Sequence, residues 1–150
     1  MKLDFGFVLK DAREGANITQ ELAAELLETS VSTISNYERN IYTPSDSVVV
    51  KMMHVYNNNE IGYQYLRNTK VGQLILPEIK KGRLESNVLN FQRESRDLKH
   101  VEYDLIDIAA DGQISENEKH RWSNLVKEIK EVCAAAFTLT LCGQEDRTWL

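Results

Sequence analysis

Residues 18–38, ITQELAAELLETSVSTISNYE, have the spacing of two short helices joined by a tight turn. Thr19 and Ser30 each precede a helical apolar pattern, and their hydroxyls are suited to accept a hydrogen bond from a free backbone N–H at a helix start. The contacts between the two helices fall to small or aliphatic residues, Ala24, Leu27 and Ile34. This pair of helices limits the N-terminal segment to a compact helical fold, because each helix is too short to be stable alone.

The apolar residues on either side of this pair also recur with a helical period. Up to residue 66 the stripes and breaks predict five compact helices, with Phe5, Val8, Leu9 and Ala12 on the first, Leu22, Ala23, Leu26 and Leu27 on the second, and Val48, Val49, Met52, Met53 and Tyr56 on the fourth. We therefore expect an all-α protein, with an N-terminal domain over residues 1–67.

The remainder of the chain predicts a short connector and two long helices. Gly72, Pro77 and Gly82 favour a connector over residues 68–83 rather than a continuous helix. Apolar residues from Leu84 to Leu105 predict one helix to about residue 110, and those from Trp122 to Leu139 predict a second. These helices would form an antiparallel hairpin over residues 84–141, followed by a tail over 142–150.

The second helix of the short pair carries side chains suited to reading DNA. Val31, Ser32 and Thr33 fall in its first turn and Asn36 one turn later, all projecting away from the Ile34 side. Asn36 suits bidentate pairing with adenine, the two hydroxyls can donate or accept, and Val31 can touch a thymine methyl. We therefore predict that these four residues contact base edges.

Residues 18–44 resemble the XRE-type, lambda-repressor/Cro-like helix-turn-helix. The family pattern is met by Thr19-Gln20, Ala24, Leu27, Ser30 and the run Ile34-Ser35-Asn36-Tyr37-Glu38-Arg39. The resemblance implies a five-helix lambda-repressor-like DNA-binding domain, in which Gln20, Arg39 and Thr43 hold the DNA backbone. Glu28 and Asn40 depart from the pattern, because the family usually has glycine at both positions.

The charge of this segment is unusual for a DNA-binding domain. Up to Arg67 it has six basic and nine acidic residues, so phosphate attraction should be weak for a single copy. We therefore expect a homodimer that binds double-stranded DNA as a sequence-specific transcriptional repressor, with the hairpin joining the two copies. The hairpin also resembles the C-terminal part of XRE-type regulators of Firmicutes and their mobile elements. The alternative is a protein-interaction module, antirepressor or antitoxin-like, with the same helical fold.

The turn between the long helices admits two interpretations. Residues 107–118, DIAADGQISENE, resemble an EF-hand calcium loop, although Ala109 removes one ligand from its third position. The favoured interpretation is an Asp-Gly turn followed by a capping box of Ser115 and Glu118. Calcium binding is the alternative, and its ligands would be Asp107, Asp111, Gln113, Ser115 and Glu118.

The sequence does not predict an enzyme or a cofactor. His54, His100 and His120 have no serine or cysteine placed to form a nucleophilic set with them. No apolar run approaches the roughly 18 residues that span a bilayer, and the N-terminus lacks the apolar core of a signal peptide. We therefore expect a cytoplasmic protein with no membrane partner.

Overall fold

The computed structural model describes residues 4–80 and 82–142, and these residues are helical without strands. They divide into two compact units, residues 4–76 and 77–142. The first contains α1 (Phe5–Gly15), α2 (Gln20–Leu26), α3 (Val31–Glu38), α4 (Asp46–Val55), α5 (Glu60–Arg67) and α6 (Lys70–Ile75). The second contains α7 (Leu84–His100), α8 (Glu102–Ala109) and α9 (Lys119–Cys142). The expected all-α class and the five N-terminal helices are confirmed.

The core of the first unit joins all five of its longer helices. Its largest fully buried side chains are Phe5, Leu9, Ile34, Met52 and Ile61. The predicted stripes of α1 and α4 supply this core, but the stripe of α2 is partly wrong. Leu22 and Leu26 are 42% and 48% exposed, whereas Ala23, Ala24 and Leu27 are buried. The small alanines allow α2 and its neighbours to approach closely. The buried side of α2 is therefore the side that carries the alanines, and the size of the apolar side chains alone does not predict it.

Four successive helices end in the same backbone motif without glycine. The residue after each C-cap is left-handed, with φ between 48° and 59°: Asn17, Glu28, Asn40 and Asn57. After α2, the Glu28 N–H donates to the Glu25 carbonyl over 3.1 Å and the Thr29 N–H to the Ala24 carbonyl over 2.8 Å. This is the Schellman pattern, and the corresponding pairs of bonds close α1, α3 and α4. The turn before α3 therefore forms with Glu28 in place of the usual glycine, at the cost of backbone strain.

The predicted connector contains a short helix, α6. The Thr69 hydroxyl caps it by accepting from the Gly72 N–H over 2.9 Å. A Cβ on Gly72 would lie 1.9 Å from the Leu66 carbonyl oxygen, so glycine at this position lets α6 pack against the end of α5. A residue that usually interrupts helices thus permits a close helix contact here.

The prediction of one helix from Leu84 to about residue 110 is wrong. The chain breaks at Val101, whose N–H bonds to the carbonyl of Leu98, and α8 begins at the next residue. Val101 is β-branched and therefore a poor helix former. The break also places Lys99 and His100 in the last turn of α7 and two acidic residues in the first turn of α8, where the charges are stabilised by the helix dipoles. The apolar period runs through the break and therefore did not reveal it.

The antiparallel pairing of α7 with α9 is confirmed. Asn87, in the first turn of α7, donates to Cys142 Sγ at the end of α9 over 2.8 Å. Two turns further along α7, a carboxylate oxygen of Glu94 lies within 4.8 Å of those of Glu128 and Glu131 on α9. Residues further along α7 thus contact residues nearer the start of α9, so the two helices are antiparallel. The predicted tail lies outside the described residues, apart from Cys142, which ends α9.

The second unit has a thin apolar core. Its buried apolar residues, within the part of the chain that the structure describes, are Ile108, Leu125 and Ala135. The 17-residue α7 buries only Asn87 and Glu94. Because its predicted apolar stripe is at most half-buried, this unit leaves much aliphatic surface uncovered.

We predict that Glu28→Gly stabilises the first unit. Glycine removes the strain of a left-handed residue, and after allowance for its greater freedom in the unfolded chain the free energy of unfolding should rise by about 0.5 to 1 kcal/mol. Urea unfolding monitored by circular dichroism measures the change. The lost Glu28–Lys51 ion pair is exposed and contributes little.

Glu25→Gly is the matched control, because it makes the same replacement inside α2. It should lower the free energy of unfolding by about 1 kcal/mol. Equal destabilisation by both variants would contradict the strain at residue 28.

Candidate nucleic-acid interface

The two helices α2 and α3 begin with side-chain caps at the predicted residues. Thr19 Oγ1 accepts from the Leu22 N–H over 3.2 Å, and Ser30 Oγ accepts from the Thr33 N–H over 3.1 Å. Ile34, 1% exposed, anchors α3 in the core. The caps fix where each helix starts, so they also fix which side of α3 faces outward.

The residues predicted to contact bases do not share one environment. Ser32 is exposed, Val31 is 39% exposed, and Asn36 is half-buried. The Thr33 hydroxyl lies 2.8 Å from Ser30 Oγ, so it takes part in the cap of α3. The structure therefore leaves Val31 and Ser32 more exposed than Thr33 and Asn36.

Ser32, Asn36 and Arg39 are spaced four and three residues apart and share one side of α3, which we name the outer face. Arg39 Nη2 donates to Asn36 Oδ1 over 2.8 Å, and Arg39 Nε lies 3.4 Å from the Ser35 carbonyl oxygen. Bidentate pairing of Asn36 with adenine requires that same Oδ1 atom. The predicted adenine contact would therefore share this oxygen with the Arg39 guanidinium.

The residues predicted to hold the DNA backbone are also dispersed. Gln20 is half-buried, and its Nε2 donates to Glu38 Oε2 over 2.8 Å, inside the domain. Arg39 and Thr43 are exposed. The Gln20 amide thus serves the internal structure here, while its phosphate contact stays a prediction.

The sequence did not reveal a buried ion pair that connects α1 with α3. Arg13 Nε donates to Glu38 Oε1 over 2.6 Å and Nη2 to Oε2 over 3.1 Å, and these side chains are only 8% and 5% exposed. Arg13 Nη1 also donates to the Ile18 carbonyl over 2.7 Å. Hydrogen bonding to Glu38 raises the pKa of the Arg13 guanidinium above its ordinary value. The sequence did contain one signal of this buried pair, because Arg13 lies on the same side of α1 as its apolar stripe.

A second contact joins the start of α1 to the end of α3. Asn40 Oδ1 accepts from the Gly6 N–H over 2.7 Å, and its Nδ2 donates to Asp4 Oδ1 over 2.6 Å. A Cβ on Gly6 would lie 2.4 Å from the Glu38 carbonyl oxygen, so only glycine allows this approach. Hydrogen bonds from the Phe7 N–H and from Asn40 lower the pKa of Asp4. These bonds fix the C-terminal end of α3 against α1.

The Asp-Gly loop lies in the second unit, and its proposed calcium ligands have other partners. Asp107 Oδ2 accepts from Arg121 over 2.9 Å, and Glu118 Oε2 accepts from the Ser115 N–H over 2.8 Å. The Ser115–Glu118 contact is one half of the predicted capping box, although α9 begins only at Lys119. Among the described residues, the one set of three His, Cys, Asp or Glu ligand atoms within 4.8 Å of one another is Glu94, Glu128 and Glu131. Calcium binding by the loop stays the alternative to the favoured turn and capping box.

The arrangement of α2, a left-handed turn and α3 with an exposed outer face is a helix-turn-helix. Comparison with known proteins agrees, since residues 9–62 match the family model described as helix-turn-helix. The chain is also 38% identical over 55 residues to the HTH-type transcriptional regulator ImmR of Bacillus subtilis (strain 168). Residues 9–62 therefore have the sequence pattern and the fold of a helix-turn-helix domain.

The similarity to ImmR extends over less than half of either protein. It covers 37% of the chain and 43% of ImmR. No solved structure matches the chain significantly. None of the helices in the described ranges combines the length and apolar character needed to cross a bilayer.

We predict that Glu38→Ala strongly destabilises the first unit. It leaves the Arg13 guanidinium buried without its counter-charge, and loss of one partner of such a pair costs about 3 to 5 kcal/mol. Urea unfolding measures this loss. The control Glu14→Ala removes an exposed acid that lies 3.6 Å from the same arginine, and should change the free energy of unfolding by less than about 0.5 kcal/mol. Similar effects of both replacements would contradict the importance of burial.

We also predict that Tyr56 makes stability depend on pH in the alkaline range. Burial, together with the nearby Glu38 charge, raises the pKa of Tyr56 to about 12 in the folded protein, against an ordinary value of 10.0. The contribution is complete below pH 10. Between pH 10 and about 12 the unfolded chain loses the Tyr56 proton first, so the folding equilibrium constant falls by up to about tenfold per pH unit.

Urea unfolding of the wild type and Tyr56→Phe across this range isolates the effect, because all other tyrosines and lysines are common to both proteins. The wild type should lose stability more steeply than the variant. Parallel pH profiles would show that Tyr56 titrates normally.

Proposed function

We propose that this protein is a DNA-binding transcriptional regulator that acts as a homodimeric repressor. The observation that carries the proposal is the exposed outer face of α3, held in place by the Ser30 cap and by the Arg13–Glu38 pair at its other end. A short helix anchored on one side and polar on the other is suited to enter a major groove. The similarity to ImmR, a transcriptional regulator, supports the same assignment.

The electrostatics favour a dimer over a single bound copy. Acidic residues outnumber basic residues up to Arg67, and Lys51 is already paired with Glu28 over 2.9 Å. One domain therefore has few cations to neutralise phosphates, which supply much of the affinity of DNA-binding proteins. Two linked domains compensate, because binding of the second half-site becomes intramolecular.

The second unit is the proposed dimer contact. Its thin core leaves large apolar side chains exposed on α7 and α8, with exposures of 59%, 66%, 84% and 66% for Leu84, Leu89, Tyr103 and Ile106. A second copy could cover this surface through a two-fold interface, in which both partners use the same patch. A dimer on a pseudo-palindromic site would repress by competing with other proteins for the same DNA.

Selection of bound duplexes from a random library, followed by fluorescence-polarisation titrations, tests DNA binding. We expect an enriched two-fold site and an affinity that falls steeply between about 50 and 200 mM salt as phosphate contacts are screened. If no duplex is retained, the DNA-binding proposal fails and the protein-interaction module is favoured.

Ser32→Glu provides a matched variant for this titration. It places a negative charge on the outer face and should lower affinity for the selected site at least about tenfold, because the carboxylate would face the DNA. Ser47→Glu is its control, since Ser32 and Ser47 are both exposed, both second in their helices, and both bonded to the preceding cap serine. Equal loss in both variants would show that net charge, rather than α3, governs binding.

Sedimentation equilibrium tests the dimer separately. Leu89→Lys should shift the protein towards monomer, because a charge replaces an aliphatic side chain at the proposed contact. Val50→Lys makes the same type of change at a 42% exposed residue of the first unit and should leave the dimer intact. A wild-type protein that is monomeric at micromolar concentration would contradict the proposed contact.

A further inference from the structure

The Arg39 guanidinium is directed back along the outer face of α3. Arg39 itself is the C-cap of the helix, but its bond to Asn36 Oδ1 brings the guanidinium one turn towards the N-terminus of α3. The guanidinium therefore lies beside Asn36, a residue that the sequence predicts to contact a base edge. The resemblance to known helix-turn-helix proteins implies a contact of Arg39 with the DNA backbone, and the position beside Asn36 offers a second possible partner in the base edges.

Arg39 also differs from three other cations of the first unit in its charge environment. Lys10, Arg13 and Lys51 each form an ion pair with a glutamate. Arg39 forms no ion pair with a carboxylate of the described chain, and its side-chain partners are the neutral Asn36 amide and the Ser35 carbonyl. Its positive charge is therefore held in position but is not neutralised.

We infer that Arg39 reads a guanine in the major groove, and that Asn36 is the residue that positions it. Guanine offers two acceptors, N7 and O6, and a guanidinium presents parallel N–H donors that match them. Only two of the five Arg39 donors contact the protein, which leaves a fork available for the base. Adenine suits this arrangement less well, because its exocyclic amino group opposes the arginine donors.

The Asn36 amide has a defined part in this arrangement. Its oxygen is taken by Arg39, so its Nδ2 group remains as a donor on the same side of α3. The Asn36 Nδ2 group and the Arg39 guanidinium thus present donors side by side, which favours a base edge with adjacent acceptors. This inference rests on the proposed DNA-binding function and specifies what the outer face recognises.

Atomic replacement in the DNA tests the inference. Each guanine of a selected duplex is replaced in turn by 7-deazaguanine, which lacks the N7 acceptor, and affinity is measured by fluorescence polarisation. For the wild type, one guanine in each half-site should be sensitive, with a loss of about tenfold. Arg39→Ala should bind the unmodified site more weakly and lose this sensitivity.

Two further variants separate reading from positioning and from charge. Asn36→Ala should weaken DNA binding and also reduce the sensitivity to 7-deazaguanine, because its own donor is lost and the guanidinium is no longer held. Lys10→Ala removes one positive charge from α1 and should keep the full sensitivity. Circular dichroism checks that each variant retains its helices, as expected for exposed or half-buried positions.

Different results would overturn different parts of the inference. A uniform loss of affinity in Arg39→Ala, with the guanine sensitivity unchanged and the salt dependence reduced by about one counterion, would identify a phosphate contact instead. Unchanged sensitivity in Asn36→Ala would remove its positioning role. A wild type that binds duplexes with no sensitive guanine overturns the inference while the proposed function stands. A wild type that retains no duplex overturns both.

Discussion

The buried Arg13–Glu38 ion pair is the interaction on which the N-terminal unit depends. It connects α1 with the end of α3, and the Gln20 amide adds the start of α2 to the same carboxylate. A buried pair contributes little net stability by itself, but the loss of either partner is costly. Its main effect is therefore geometric, because three helices must adopt one relative position to satisfy all of its donors. This constraint therefore determines the direction in which the outer face of α3 points.

Most of the N-terminal fold could be predicted from the sequence because its signals are local. The Thr19 and Ser30 caps, the buried Ile34 and the close packing at Ala24 follow from residue type and spacing. Arg13 and Glu38 were missed because their contact spans 25 residues and neither looks apolar. The exposed Leu22 and Leu26 were misassigned for a related reason, since the small alanines beside them determine which side of α2 faces inward.

The second unit was less predictable because its features depend on competition between weak effects. The apolar period continues through Val101, yet helix-end charges and a β-branched residue interrupt the helix there. Gly72 favoured an irregular connector, whereas its missing side chain allows α6 to pack on α5. On the outer face of α3, the helical period predicted that Asn36 projects outward. The partner that occupies its oxygen could be seen only in the structure.

The thin core of the second unit has a consequence for how such a protein would respond to its own abundance. Within the described part of this unit, three buried apolar residues give it little independent cohesion, so its folding and its association would be coupled under the proposed dimer. Below the dissociation constant of that dimer, occupancy of a two-fold site rises with roughly the square of subunit concentration, since two subunits are consumed for each site. A small change in synthesis or degradation would then produce a larger change in gene control, and the sharpness of that threshold would originate in side chains far from any DNA contact.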